Sequence, residues 1–577
     1  MNTVCLEGCH GSGKTHLLSC CEKNGFAVLD EAFIGMPSYT KSLHPQSLMM
    51  EMIWVTRWFL RLLEQKEALK TKGDEHTIFI ADRSPFSAVF YSRNGRGKML
   101  QPVIRAAIEE LHEEAQIEVH TVYVQVQPDV LWKRIQERLV REPSRQKFSE
   151  NDRGWMEKTL GFYDSFQWDC VVDNSSKDAT AVMDDLVAIV SRLSTRFRRI
   201  VSGSEDEGDA KFSERVRAAS IHCSESDASL AAKLKRTPIK LPRNPEVPND
   251  WTPKSVTDDI QSFESRPKLI LPPAKKHKGK MIVVCLEGCH GSGKTSLLSQ
   301  LRHHGFSVLD EAFIDMPTYT EALHPQSLMM EAVWVTNWFE RLLKCKAQIE
   351  GKDNEHRIYF ADRSPYSAVF YSRKQRGHLL SPVIAAGIEE LREEANIEVL
   401  TVHVTVQPDV LWHRIQQRLL REPHRHKFSE NKIEWMHKSL NFYNNFQWDG
   451  LVDNSQGSID DATHSVVSLV SRLSRRFQEL VSDDQQSGRY SPEVRSTASL
   501  ALFGDSDSDD LEEPATPNRK SSADAALNPI AASKWDSNKV HITPDSAAVE
   551  SNFQNKCTFG TSSTLGSKSM DQGQDSD

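Results

Sequence analysis

The chain has 577 residues, 38% of them hydrophobic, and a formal net charge of −9. So mild an acidity excludes a global electrostatic pull toward nucleic acid or an anionic membrane, and no stretch approaches the ~18–20 apolar residues of a membrane span. The ten cysteines are scattered, with no C-x-x-C pair or metal-ligand spacing; with no leader ahead of the first predicted strand, a reduced, cytoplasmic protein is expected.

A repeat dominates the sequence. Gly8 maps to Gly288, Asp82 to Asp362, Trp132 to Trp412 and Asp173 to Asp453 without a gap. So long a period means tandem duplication of a domain and not a solenoid. The expected domains are residues 1–200 and 281–481, each a P-loop unit with a parallel sheet covered by helices on both faces. A disordered linker (201–280) and a disordered acidic, serine-rich tail (482–577) separate and follow them. The tails echo each other weakly: Phe212-Ser213-Glu214-Arg215-Val216-Arg217 resembles Tyr490-Ser491-Pro492-Glu493-Val494-Arg495.

In chain order, Thr3–Leu6 predicts a buried strand. It runs into Gly8-Cys9-His10-Gly11-Ser12-Gly13-Lys14-Thr15, repeated as Gly288-Cys289-His290-Gly291-Ser292-Gly293-Lys294-Thr295. This is G-x-x-x-x-G-K-[ST]: small residues let backbone N–H groups curl round phosphates at a helix N-terminus, the Lys reaches the β- and γ-phosphates of ATP, and Thr15 or Thr295 ligates Mg²⁺. Oxidation of Cys9 or Cys289 within the loops would obstruct a nucleotide. A short strand, Ala27–Leu29, ends in Asp30-Glu31 (Asp310-Glu311), where a carboxylate can take the proton of an attacking hydroxyl. Residues 47–69 predict a long helix with Met50, Ile53, Trp54, Trp58 and Leu62 at helical spacing.

The strand Thr77–Ala81 ends in Asp82-Arg83-Ser84 (Asp362-Arg363-Ser364). An Asp after a buried strand suits Mg²⁺, and Arg83 suits holding an acceptor. A helix (102–115), a strand (119–126), helices 129–140 and 150–163, a strand (170–172) and one closing helix (178–198) follow. The helix from Asp129 carries Arg134, Arg138 and Arg141, matched by Arg414, Arg418 and Arg421. Spacings of four and three put these on one face, as a lid clamping transferring phosphates requires; pairing with Glu137 and Glu142 is the structural alternative.

These motifs together resemble the deoxynucleoside kinase family, including thymidylate-kinase-like enzymes, over roughly residues 3–198 and 283–478. Leu6-Glu7-Gly8, Glu31, the Asp82-Arg83-Ser84 signature and the lid beginning Arg134-Ile135 match in order, and Val171–Ser175 is similar to the segment that cups adenine. The resemblance implies transfer of the γ-phosphate of ATP to the 5′-hydroxyl of a deoxynucleoside, a salvage reaction. Glu31 and Glu311 would be the base, Arg83 and Arg363 would position the 5′-oxygen, and Glu142 or Glu422 would touch the sugar. The family follows its catalytic Glu with Pro and an aromatic, whereas Ala32-Phe33 stand here. On the long helix the copies differ, Arg57 against Asn337 and Leu60 against Glu340, a difference read as facing the acceptor and tuning its choice. The implied partner is a small nucleoside or nucleotide acceptor, with no nucleic acid or membrane. As family members dimerise, the two copies are expected to form an internal pseudo-dimer. The rival readings are a nucleoside-monophosphate kinase, an ATP-binding regulator or scaffold without turnover, and a kinase for another hydroxylated metabolite.

Overall fold

The computed structural model describes residues 1–30, 42–72, 77–202, 212–221, 281–311, 322–349, 357–482 and 488–500. Most of the linker and tail, and Glu31 itself, lie outside them. Each copy is built on five parallel strands. In the first these are β1 (Asn2–Glu7), β2 (Ala27–Leu29), β3 (Ile78–Asp82), β4 (Glu118–Gln125) and β5 (Cys170–Asp173), in the order β2-β3-β1-β4-β5. In the second, β6 (Met281–Glu287), β7 (Ser307–Leu309), β8 (Ile358–Asp362), β9 (Ile397–Thr405) and β10 (Gly450–Asp453) repeat that order. Every residue of β1 is buried, as a central parallel strand covered on both faces requires. Its register aligns Leu6 with Asp82 and Glu7 with Tyr123, and β2 aligns Leu29 with Ala81. The P-loop, Asp30 and the Asp82-Arg83-Ser84 turn therefore emerge at one edge of the sheet, its carboxyl edge.

One face of the first sheet is covered by α1 (Lys14–Lys23), α7 (Ala179–Leu193), α8 (Thr195–Ser202) and α9 (Glu214–Ile221), through Leu17, Met183, Leu186, Phe197 and Val216. Here the structure departs from the sequence reading twice. The single closing helix breaks at Ser194, whose extended backbone (ψ 114) ends α7 and whose Oγ accepts the Phe197 N–H at 3.0 Å, capping α8. An N-cap serine starts a new helix more readily than it continues an old one. The polar stretch after 201 is also not wholly linker. Phe212 packs 5.0 Å from the ring of Phe26, and Val216 is fully buried. Tyr490 and Val494 do the same at the end of the second copy, in α18 (Pro492–Leu500) and the turn before it. Each domain thus extends past its expected boundary by one short helix.

The other face is covered by α2 (Leu48–Lys72) and α4 (Leu100–Glu113). The first half of α2 is apolar almost all round, with Met49, Met50, Met52, Ile53, Trp54, Val55, Trp58 and Phe59 buried. A helix with that pattern needs cover on every side. One side meets its own sheet. The opposite side meets α11 (Leu328–Ile349) and α13 (Ser381–Glu393) of the second copy, and a single hydrophobic core runs through both copies. Thr56 and Thr336 face each other at the crossing, Oγ1 to Oγ1 3.2 Å. Among the described residues no helix is long and apolar enough to cross a membrane.

Candidate active site

The P-loop sits between β1 and α1 with a backbone that needs its glycines. Gly13, the N-cap of α1, has φ 94, and a Cβ there would lie 2.5 Å from Asn174 Nδ2. That amide donates to the Ser12 carbonyl at 2.7 Å, tying the end of β5 to the loop. The residue sits within the segment likened above to an adenine cup, and here it braces the phosphate loop. Lys14 curls across the loop, donating to the carbonyls of Gly8 (2.6 Å) and Cys9 (3.0 Å). Burial, reinforced by Arg83, lowers its ammonium to about 8. Lys294 repeats this with bonds of 2.8 and 3.0 Å to Gly288 and Cys289, and it too is lowered to about 8. The loop thiols are not poised for oxidation: burial pushes Cys9 up to about 12 and Cys289 to about 11, leaving almost no thiolate.

Glu7, the last residue of β1, has no solvent exposure and organises the next turn. Its carboxylate accepts from the Ser84 N–H (2.7 Å), Ser84 Oγ (2.6 Å), Ser87 Oγ (2.9 Å) and Tyr163 Oη (3.1 Å). These bonds fix the Asp82-Arg83-Ser84 turn against the P-loop strand and draw in α6 (Arg153–Ser165). Arg83 is held there in the left-handed region, φ 69, and Arg363 at φ 72. A long side chain in that region stores about 1 kcal/mol or more of strain, a cost that persists where surrounding bonds over-determine it. The bonds are present: Arg83 donates its N–H to Leu6 O (3.1 Å) and Nη1 to Tyr163 Oη (3.0 Å), and its carbonyl accepts Trp58 Nε1 (3.3 Å). Glu287 and Tyr443 play the same parts in the second copy.

Asp82 ends β3 with one oxygen, Oδ1, buried and without a hydrogen-bond partner, and so does Asp362. With the hydroxyl of Thr15 or Thr295 on the exposed first helical turn, this is the oxygen donor set that Mg²⁺ takes. No cluster of three or more His, Cys, Asp or Glu residues suited to a metal occurs among the described residues.

The candidate base is described in the second copy. Glu311 Oε1 lies 2.9 Å from Arg363 Nε, and the carboxylate is about one-third exposed whereas the guanidinium is buried. The lid arginines divide. On α5 (Pro128–Arg141) Arg134 and Arg138 are half-buried; Arg141 is exposed and donates to its own helix at Glu137 O (3.4 Å). Arg138 and Arg145 pair with Glu142 at 3.7 and 3.5 Å, and Arg145 also bonds Glu150 at 3.1 Å. Glu150 in turn meets His10 Nδ1 of the P-loop at 3.2 Å. Burial, with Arg83, Lys14, Arg145 and Arg138 close by, holds His10 well below the ordinary imidazole range. Arg138 and Arg145 thus lie close enough to act on the charge of His10 in the loop, as Arg418 and Arg425 act on His290. Arg141 and Arg421, read as part of one face, do not join, because the last turn of the helix carries them to solvent. Glu142 and Glu422 are engaged by these arginines.

Two further corrections concern the long helix. Arg57 and Glu340 do not face an acceptor; they bond each other across the two copies, Nη2 to Oε1 3.0 Å. The side chain of this helix that lies near Arg83 is Glu51, two helical turns before Trp58 on the same face. It is 2% exposed, and its Oε2 has no partner. Burial lifts its carboxyl to about 8, against the opposing pull of Arg83. Glu331 is alike, with neither oxygen bonded; burial holds it well above the carboxylate range, Arg363 draws it down, and Glu311 adds to the rise. The sequence signal was a lone acid inside Leu48-Met49-Met50-Glu51-Met52-Ile53, kept in both copies. The N-terminus of this helix is in turn held by the other copy. Glu390 accepts the N–H groups of Leu48 (2.8 Å) and Met49 (3.0 Å), and Glu110 accepts those of Leu328 (2.9 Å) and Met329 (3.0 Å).

Residues 3–173 and 283–442 match the AAA domain family. No curated protein matches the chain, and no solved structure does. The family match covers more than half of the chain and falls on both repeats, each with its P-loop between β-strand and helix at the carboxyl edge of a parallel sheet. The protein therefore belongs to the AAA domain family, with two P-loop NTPase units in tandem.

Proposed function

We propose that each copy transfers the γ-phosphoryl group of ATP to the 5′-hydroxyl of a deoxynucleoside. The observation that carries this reading is the Glu311–Arg363 pair at 2.9 Å, on the same sheet edge as Lys294 and beside the buried, unbonded acid Glu331. A nucleotide hydrolase needs a water-positioning group at the γ-phosphate. It does not need a second buried acid close to its base and arginine, which suits recognition of a second polar molecule.

In this mechanism Lys294 and the loop N–H groups hold the triphosphate. Glu311 takes the proton of the acceptor hydroxyl as its oxygen bonds to the γ-phosphorus. The bond from that phosphorus to the β–γ bridging oxygen breaks, and its electron pair leaves with ADP. Arg363 steers the base and the acceptor oxygen, and Arg418 and Arg425 stabilise charge on the transferring group. Mg²⁺, when bound at Asp362 and Thr295, neutralises charge on the β- and γ-phosphates. Glu331, kept protonated by burial, donates a hydrogen bond to a carbonyl or ring nitrogen of the acceptor. Lys14, Arg83, Asp82, Arg138, Arg145 and Glu51 carry the same roles in the first copy, with Glu31 its base.

The test is ADP formation by the full chain with ATP, magnesium and a panel of nucleosides and nucleoside monophosphates. Turnover that rises with a deoxynucleoside supports the reading. Turnover with monophosphates alone transfers the assignment to a monophosphate kinase, and absence of any acceptor-dependent turnover favours a nucleotide-binding regulator.

A further inference from the structure

We infer that the surface between the copies is charge-coded for an unlike pair: the first copy is built to dock on the second and not on a first copy of another chain. The interface has a pseudo-twofold axis at Thr56 and Thr336, which face each other at 3.2 Å. Across such an axis every contact occurs twice, once in each direction. Most do. Arg96 bonds Glu389 at 2.9 Å as Arg376 bonds Glu109 at 3.0 Å. Arg93 pairs with Glu394 as Arg373 pairs with Glu114. Glu390 and Glu110 exchange helix caps in both directions. All of these would survive in a pair of like copies, so they supply adhesion without choice.

One turn from the axis the symmetry fails. Arg57 donates to Glu340 at 3.0 and 3.2 Å. The mirrored positions hold Asn337 and Leu60, which carry no charge. Two first copies would set Arg57 against Leu60 twice. Two second copies would set Glu340, 7% exposed, against Asn337 twice. Only the unlike pair brings opposite charges together, and a half-buried guanidinium and a buried carboxylate lose most by losing each other. The exposed Lys374–Glu113 pair, 2.7 Å, does not alter this. Like pairs of second copies would gain what like pairs of first copies lack, so the total is unchanged on exchange.

The inference stands on the interface alone and does not depend on the reaction. Its test uses the full chain and two variants, Arg57→Glu and Arg57→Glu with Glu340→Arg, followed by native mass and thermal unfolding. The wild-type chain and the double reversal are expected to run as single chains of 65.4 kDa and to unfold at similar temperatures. Arg57→Glu, which sets two carboxylates face to face, is expected to unfold several degrees lower or to assemble into two-chain particles through its like copies. If the single reversal fails to fold, recovery by the double reversal carries the test. A wild-type particle of two chains, an Arg57→Glu chain unchanged in both readouts, or a double reversal that recovers nothing would overturn it.

Discussion

Around the phosphate loop the two copies are nearly interchangeable. Lys14 and Lys294 make the same carbonyl bonds, Arg83 and Arg363 adopt the same left-handed backbone, and Asp82 and Asp362 each keep one buried oxygen unbonded. Where the copies face each other they are not: position 57 is Arg and its counterpart Asn337, position 60 is Leu and its counterpart Glu340. The duplicated domain has kept its phosphate-loop geometry twice and broken its symmetry at the seam. The divergence at these two positions therefore reads as a change of docking, and we propose that both sites take the same acceptor.

That equivalence can be attacked directly. The largest effect is expected from the loop lysines. Lys14→Ala or Lys294→Ala should each leave about half of the turnover, and the two together should remove it by roughly 10³-fold or more, as loss of electrostatic stabilisation at a transferring group does. Markedly unequal halves in steady-state kinetics would show that the copies have diverged in activity. Next is the exchanged cap. Glu390→Ala strands two buried N–H groups at the start of α2, about 1–3 kcal/mol. On a Lys294→Ala background, where only the first copy works, turnover should fall about tenfold. On a Lys14→Ala background it should stay within about twofold, since Glu390 caps the other copy's helix.

The buried acid sharpens the comparison through pH. The Glu51 carboxyl is raised to about 8, so the folded protein keeps its proton while the unfolded chain loses it. Its contribution is fully present below the ordinary carboxyl range and is lost as pH rises toward 8. Glu51→Gln should remove that slope and raise stability at pH 7 by about 1–3 kcal/mol, read from denaturant unfolding, while weakening acceptor binding in the first copy. The smallest effect concerns nucleotide affinity. Lys14 and Lys294 titrate at about 8, and only the charged form holds phosphate. The dissociation constant for ATP should therefore rise roughly fourfold between pH 7 and 8.5, equally in both single-lysine variants.

What was readable beforehand was local. The P-loop, the Asp82-Arg83-Ser84 turn and the arginine helix are short patterns whose chemistry travels with their spacing, and alternating strands and helices fixed the parallel sheet. Arg141 was misplaced because spacing gives a face but not where the helix stops, and α5 ends at Arg141. Glu7, legible only as part of Leu6-Glu7-Gly8, and Glu51 carry no role in the sequence because a lone acid in an apolar run has no partner in its own neighbourhood; Ser84 and Arg83 come near them only through the fold. The helix at 214–221 was hidden by its polar composition, although the echo of Phe212 in Tyr490 pointed to it. The apolar girth of α2 announced a second covering surface without saying what covers it, and so Arg57 and Glu340 were assigned to the wrong neighbour.

The central claim is that a carboxylate after the second strand deprotonates an acceptor beside the bound triphosphate. Its most direct test is Glu311→Gln on a Lys14→Ala background, with acceptor-dependent turnover and ATP affinity measured on the same protein. Turnover is predicted to fall by about 10²–10⁴-fold with ATP affinity unchanged. Turnover that survives the substitution, or falls only as ATP binding falls, would contradict the account.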